Sequence, residues 1–195
     1  MKKLNVVLVA VMAALVMMTA CKTAKQGPTT TYQKEESATE VVIPFSDKQY
    51  QTDKDNFRAK NSGKSPDMAT AKKIALMNAK TELAAAIQSV IKSVTEQYTN
   101  QRSVADAQEY ENKFEEIARM VVNQQLNDVR TIGEKLFKES DGKYTYWVAI
   151  EMPKDAVQKA LCEKISADSK LQLDFDKHQF EKTFNEEMQK FEEGR

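Results

Sequence analysis

From Asp67 to Tyr98 no glycine or proline interrupts the chain. Within that stretch Leu76, Leu83, Ile87, Val90 and Val94 recur three, four or seven residues apart, with Ala79 and Ala86 beside them. Apolar residues at this spacing share one face of a helix. A helix of that length must be the spine of the fold, and alanines on its packing face permit close approach to a sheet. Five glycines and four prolines in 195 residues are too few for a many-stranded sandwich, which needs a turn signal every ~8–12 residues. The length suits one domain with tails.

Other elements group around the spine. Phe57 to Lys60 suits a short strand, ended by Asn61-Ser62-Gly63. Ser65-Pro66-Asp67 then supplies a capping hydroxyl, a proline for the first turn and an acid near the positive helix end. A second helix is expected from about Val104 to Asn127, with Tyr110, Phe114, Ile117 and Val121 as its apolar face. Glu109, Glu111, Glu115 and Glu116 lie mostly elsewhere on it and suit a solvated face better than a metal site. Val129–Glu139 and Lys143–Met152 form a hairpin. A two-residue Asp141-Gly142 loop would set Phe137 opposite Tyr146 and Leu136 opposite Trp147. Gly133 suggests a bulge. Pro153-Lys154-Asp155 opens a third helix that runs to about Ile165, and residues 166–195 suit a long polar helical tail. The expected fold is α+β: a small, mainly antiparallel sheet on a long helix, with a second helix and a helical carboxy-terminal tail.

The first twenty residues have the three parts of an export signal: Lys2 and Lys3, an apolar run from Leu4 to Met18, then Met18-Thr19-Ala20-Cys21. Fifteen helical residues span only ~22 Å, short of the ~30 Å hydrocarbon core. The last four resemble the lipobox of bacterial lipoproteins, with Met18 where Leu is usual. Lipidation at Cys21 is therefore expected, making the membrane the first partner. By the same resemblance, Lys22 after the cysteine implies the outer membrane in many Gram-negative bacteria. Lys22 to Glu40 is polar, contains Gly27-Pro28 and suits a flexible tether. Val41 to Phe45 is a short apolar patch expected to dock on the domain that fills residues 41–165.

Little in the chain suggests catalysis. His178 is the single histidine, and no nucleophile lies near it in sequence. With Cys21 lipidated, Cys162 has no disulfide partner and is expected to be buried. No metal cluster, phosphate loop or other cofactor site is evident. Basic and acidic residues are balanced at 29 each, and loss of residues 1–20 leaves 27 against 29. That balance makes nucleic acid an unlikely partner. Carboxylates brought together only by folding would allow a hydrolase.

Two surfaces could bind something. Arg58 and Lys60 alternate on one strand face with Lys64 close by, a candidate site for an anionic ligand. Leu173, Phe180, Phe184, Met188 and Phe191 form a narrow apolar stripe in the tail, of which Phe180, Phe184, Met188 and Phe191 are the candidate contact for a partner helix. The stripe either packs back onto the domain or meets a partner helix, which could belong to a second copy.

One pattern joins Asp53-Lys54-Asp55-Asn56-Phe57-Arg58-Ala59, Ser65-Pro66-Asp67 and the helix from Ala71 to Ala84. The hairpin with Gly142, Tyr144, Tyr146 and Val148, followed by Met152-Pro153-Lys154, completes it. In these features, over residues 41–165, the chain resembles the LPP20-type bacterial lipoproteins and, more loosely, the amino-terminal domain of the flagellar assembly protein T. The resemblance implies a lipid-anchored envelope protein without catalytic residues. The expected function is a non-enzymatic binding or assembly module. A surface adhesin and a lipid-anchored carboxylate hydrolase are the alternatives.

Overall fold

The computed structural model describes residues 41–102 and 107–193. A 3-10 turn at Lys48–Tyr50 leads into strand β1 (Asn56–Ser65) and helix α1 (Met68–Arg102). Helix α2 (Ala107–Gln125), strands β2 (Arg130–Lys138) and β3 (Tyr144–Pro153), and helices α3 (Lys154–Ala167) and α4 (Lys177–Glu192) follow. The three strands form one antiparallel sheet in the order β1-β3-β2. This is the expected α+β architecture.

Helix α1 has 35 residues, about 52 Å at 1.5 Å per residue. Its first half lies on the sheet. Ala71, Ala75 and Ala79 are fully buried there, and their small side chains bring the helix backbone onto β1. Gly63 completes the approach: a Cβ on it would sit 2.5 Å from the Ala71 carbonyl oxygen and from the Ala75 nitrogen. Larger residues follow along the same face, with Leu83, Ile87, Val90, Val94 and Tyr98 all buried. The second half of α1 packs on α2 and α4.

Asp67 caps α1, its Oδ1 accepting from the Thr70 amide at 2.7 Å. Ser65, expected to be the cap, is instead the last residue of β1 and receives the Asp67 amide at 3.2 Å. The strand itself runs past Gly63, where the sequence pattern ends it. Gly63 is there for close packing and lies within the unbroken register from Asn56↔Pro153 to Ser65↔Tyr144.

The hairpin differs by one residue from the expected pairing. Leu136 faces Tyr146 and Phe137 faces Thr145. Glu139 N–H donates to the Lys143 carbonyl and Gly142 N–H to the Glu139 carbonyl, enclosing the three-residue loop Ser140-Asp141-Gly142. Gly142 has φ 81°, the left-handed position that closes such loops. Gly133 does mark a bulge, with the register shifting between Thr131 and Gly133. The Phe45 ring covers it, and a Cβ would come 2.5 Å from that ring. Of the Val41–Phe45 patch only Phe45 is buried, while Val41, Val42 and Ile43 are exposed.

Residues after Ile165 are not an appended tail. The chain turns between α3 and α4, with Asp168 Oδ1 accepting from the Lys170 and Leu171 amides and Asp176 capping α4 through the Gln179 amide. Leu171, Phe180, Phe184 and Met188 belong to the same core as Phe57 and Leu83. Tyr98, Tyr110, Phe114, Phe175 and Phe180 form an aromatic cluster with neighbouring centroids 5.6–6.3 Å apart. The Tyr98 hydroxyl ties the turn to α1, receiving the Asp176 amide at 2.6 Å and donating to the Asp174 carbonyl at 3.1 Å. Among the described residues no helix is long and apolar enough to cross a membrane.

Candidate functional site

The basic face expected for an anionic ligand is occupied from within. Arg58, Lys60 and Lys64 lie on the side of β1 away from α1, as their alternation implies. Topology brings acids and carbonyls to meet them. Arg58 Nη1 donates to Asp53 Oδ2 at 2.5 Å and to the Gln51 carbonyl at 2.8 Å. Its Nε donates to Glu151 Oε2 at 3.1 Å. Glu151 is shared with Arg130, at 2.8 Å. Thr52 closes the loop by accepting the Arg58 amide at 2.8 Å. Burial pushes the Asp53 carboxyl upward, but hydrogen bonds from Arg58 and from the Asp55 and Asn56 amides outweigh it, so its pKa lies below the usual value. Burial likewise opposes the Arg58 charge, and its bonds to Asp53 and Glu151 prevail, raising its pKa.

Lys60 Nζ donates to the Phe45 carbonyl at 3.0 Å and to Ser46 Oγ at 2.9 Å. Lys64 stands 3.5 Å from Asp141. The three cations therefore fasten the incoming segment and the hairpin to β1: Arg58 and Lys64 meet acids of their own chain, and Lys60 meets a carbonyl and a hydroxyl. Lone-strand alternation could not reveal this, because Glu151 lies 93 residues from Arg58.

The apolar stripe of α4 also turns inward. Phe180, Phe184 and Met188 are buried and Phe191 is partly so. Of its two expected uses, packing onto the domain is the one realised, and no row is left on these residues for a partner helix or for self-association. Leu173, expected on the stripe, lies instead in the turn before α4 and is 83% exposed, because the helix begins only at Lys177.

The groups that might do chemistry stay apart. His178 is exposed on α4. Cys162 is buried, and its desolvation pushes the thiol pKa up to about 11. A thiol so placed is a poor nucleophile at neutral pH. It borders a cleft of about 450 Å³ between α3 and α4, whose lining includes both acids, Glu163 and Glu181, and lysines, Lys159 and Lys177. Asp53, Asp67, Glu134, Asp141 and Asp168 all have carboxyl pKa values moved below the usual one. None of these suits a neutral-pH general acid. No three His, Cys, Asp or Glu side chains among the described residues converge on a metal geometry. Cys21 and its signal and tether fall in residues 1–40, outside the described residues.

What the fold does present is β2. It forms one edge of the sheet, beyond the main cover of α1. Glu134 to Lys138 are exposed on both faces of the strand, with Leu136 43% and Phe137 44% accessible. Lys72 reaches across from α1 to Glu134 at 2.7 Å. On the other face Lys135 lies over the Phe45 ring, 5.4 Å from its centroid. Lys138 Nζ is 5.9 Å from the Tyr144 ring centroid. The sequence carries a signal for this edge: Glu134-Lys135-Leu136-Phe137-Lys138 lacks the polar-apolar alternation of a strand covered on one side. No family model, no curated protein and no solved structure matches the chain.

Proposed function

We propose that the protein is a lipid-anchored lipoprotein of the bacterial cell envelope, held through Cys21, whose folded domain binds or helps to assemble other envelope components without catalysing a reaction. The observation that carries the anchor is the Met18-Thr19-Ala20-Cys21 sequence, where an apolar run gives way to a polar segment. The likeness to LPP20-type lipoproteins over residues 41–165 supports the same reading, and Lys22 favours the outer membrane. The binding role is supported by the exposed sheet edge at β2.

Intact mass of the protein purified from its native membrane, beside a Cys21→Ser variant, tests the anchor. The expected mass is that of residues 21–195 plus acyl chains, lost in the variant. A lipid-free mature chain would overturn the proposal and make this a secreted protein. A specific partner recovered from detergent-solubilised membranes is expected if the domain assembles others. Failure to recover one under conditions that preserve weak complexes counts against the binding role.

A further inference from the structure

We infer that the open edge of β2 pairs with β2 of a second copy of this chain, joining the two three-stranded sheets into one antiparallel sheet of six strands. The inference concerns the folded domain and does not depend on the Cys21 anchor.

Three observations lead to it. The first is the direction of the backbone groups. Hydrogen-bonded and non-hydrogen-bonded pairs alternate along an antiparallel ladder. Glu139 N–H bonds the Lys143 carbonyl, so Phe137 and Lys135 also face β3. The amides and carbonyls of Glu134, Leu136 and Lys138 therefore point to the open edge, where no other described strand pairs with them. An edge of this kind is a template for strand addition.

The second is what limits the edge. The bulge between Thr131 and Gly133 and the Arg130–Glu151 ion pair occupy one end of β2. The Ser140–Gly142 loop closes the other. The straight, exposed stretch is Glu134 to Lys138.

The third is its charge pattern, which is complementary to itself. Residues facing each other across a ladder lie on the same side of the sheet, so a two-fold axis normal to it passes through a residue position. Centred on Leu136, the pairing sets Glu134 against Lys138 of the second copy twice, on the α1 side. It sets Lys135 against the exposed Phe137 ring twice on the other side and Leu136 against its own copy. The outward groups of residues 134, 136 and 138 then form about six backbone hydrogen bonds. Centring on Lys135 would oppose two lysines. Centring on Phe137 would run the ladder into the hairpin loop and shorten it. Glu134 is 39% exposed while bound to Lys72, so it can meet a second cation in place.

The test uses the full mature chain in density-matched detergent, with self-association read by sedimentation equilibrium. The wild type is expected to form a dimer. Lys138→Glu places like charges opposite each other at two positions and should weaken that dimer by about tenfold or more. Glu134→Lys should do the same. Mixed together, the two variants restore opposite charges at both positions, so a mixed dimer should form where neither variant dimerises alone. The mixture also confirms that each variant is folded, alongside far-UV circular dichroism. A wild type that stays monomeric to its solubility limit overturns the inference. So does a dimer indifferent to Lys138→Glu, or a mixture of folded variants that fails to associate.

Discussion

Replacing Gly63 with alanine probes the close approach of β1 to α1. The added Cβ would meet the Ala71 carbonyl oxygen and the Ala75 nitrogen at 2.5 Å and Ile74 Cβ at 2.7 Å. Ordinary contact begins near 3.4 Å, so the strand and helix must part by about 0.9 Å. The obstructing atoms are the helix backbone and a Cβ, which no rotamer change can move. Overpacking of this kind costs about 1–3 kcal/mol, and the upper end applies when backbone must move. Alanine recovers about 0.4–1 kcal/mol by restricting the unfolded chain. The net expectation is a loss of about 2 kcal/mol. In urea, with a slope of about 2 kcal/mol/M, the midpoint falls by about 1 M. The single tryptophan, Trp147 on β3, reports unfolding of the sheet. Gly142→Ala is the matched control: nothing lies within 4 Å, but φ is 81°. Its cost is conformational alone, about 1–2 kcal/mol. A Gly63→Ala protein as stable as the wild type would refute the close approach of β1 to α1.

Two further perturbations follow from the same packing. Phe180→Ala should destabilise the domain by about 3–5 kcal/mol, the range for a buried aromatic, in the same urea assay; no loss would mean that α4 is a detachable tail after all. The lowered Asp53 pKa sets the sign of a pH effect. Its folded value lies below the usual 3.8, so its stabilisation is present above pH 3.8 and fades as pH falls through the folded value. Asp53→Asn should therefore cost stability at pH 7, and the difference from wild type should shrink on acidification. A difference that grows in acid would contradict the Arg58–Asp53–Glu151 network.

Long, locally encoded elements were legible in the chain. Helix α1 follows from its uninterrupted apolar period, the hairpin from Asp141-Gly142, and the bulge from Gly133. Position-level errors arose where a residue type has two physical uses. Gly63 resembles a strand breaker by its conformational freedom but acts by lacking a Cβ. Asp141-Gly142 suits two-residue and three-residue loops alike, and the choice shifted the facing pairs by one residue. Asp168 and Asp176 interrupt what periodicity alone presents as one continuous tail.

The candidate sites were less legible, because each depends on groups distant in sequence. Alternation put Arg58, Lys60 and Lys64 on one side of β1 but could not foresee Asp53, Glu151 and the Phe45 carbonyl arriving to bind them. The α4 stripe announced that something apolar must be covered, and only packing against α1 decided that the cover is the chain itself. By itself the sequence determined the periodic elements and the export-and-anchor expectation, since both reside in residues adjacent along the chain. The tertiary structure alone decided which charges are already satisfied, which apolar faces are already covered, and that the edge of β2 remains open, because burial and pairing are properties of what meets across the fold.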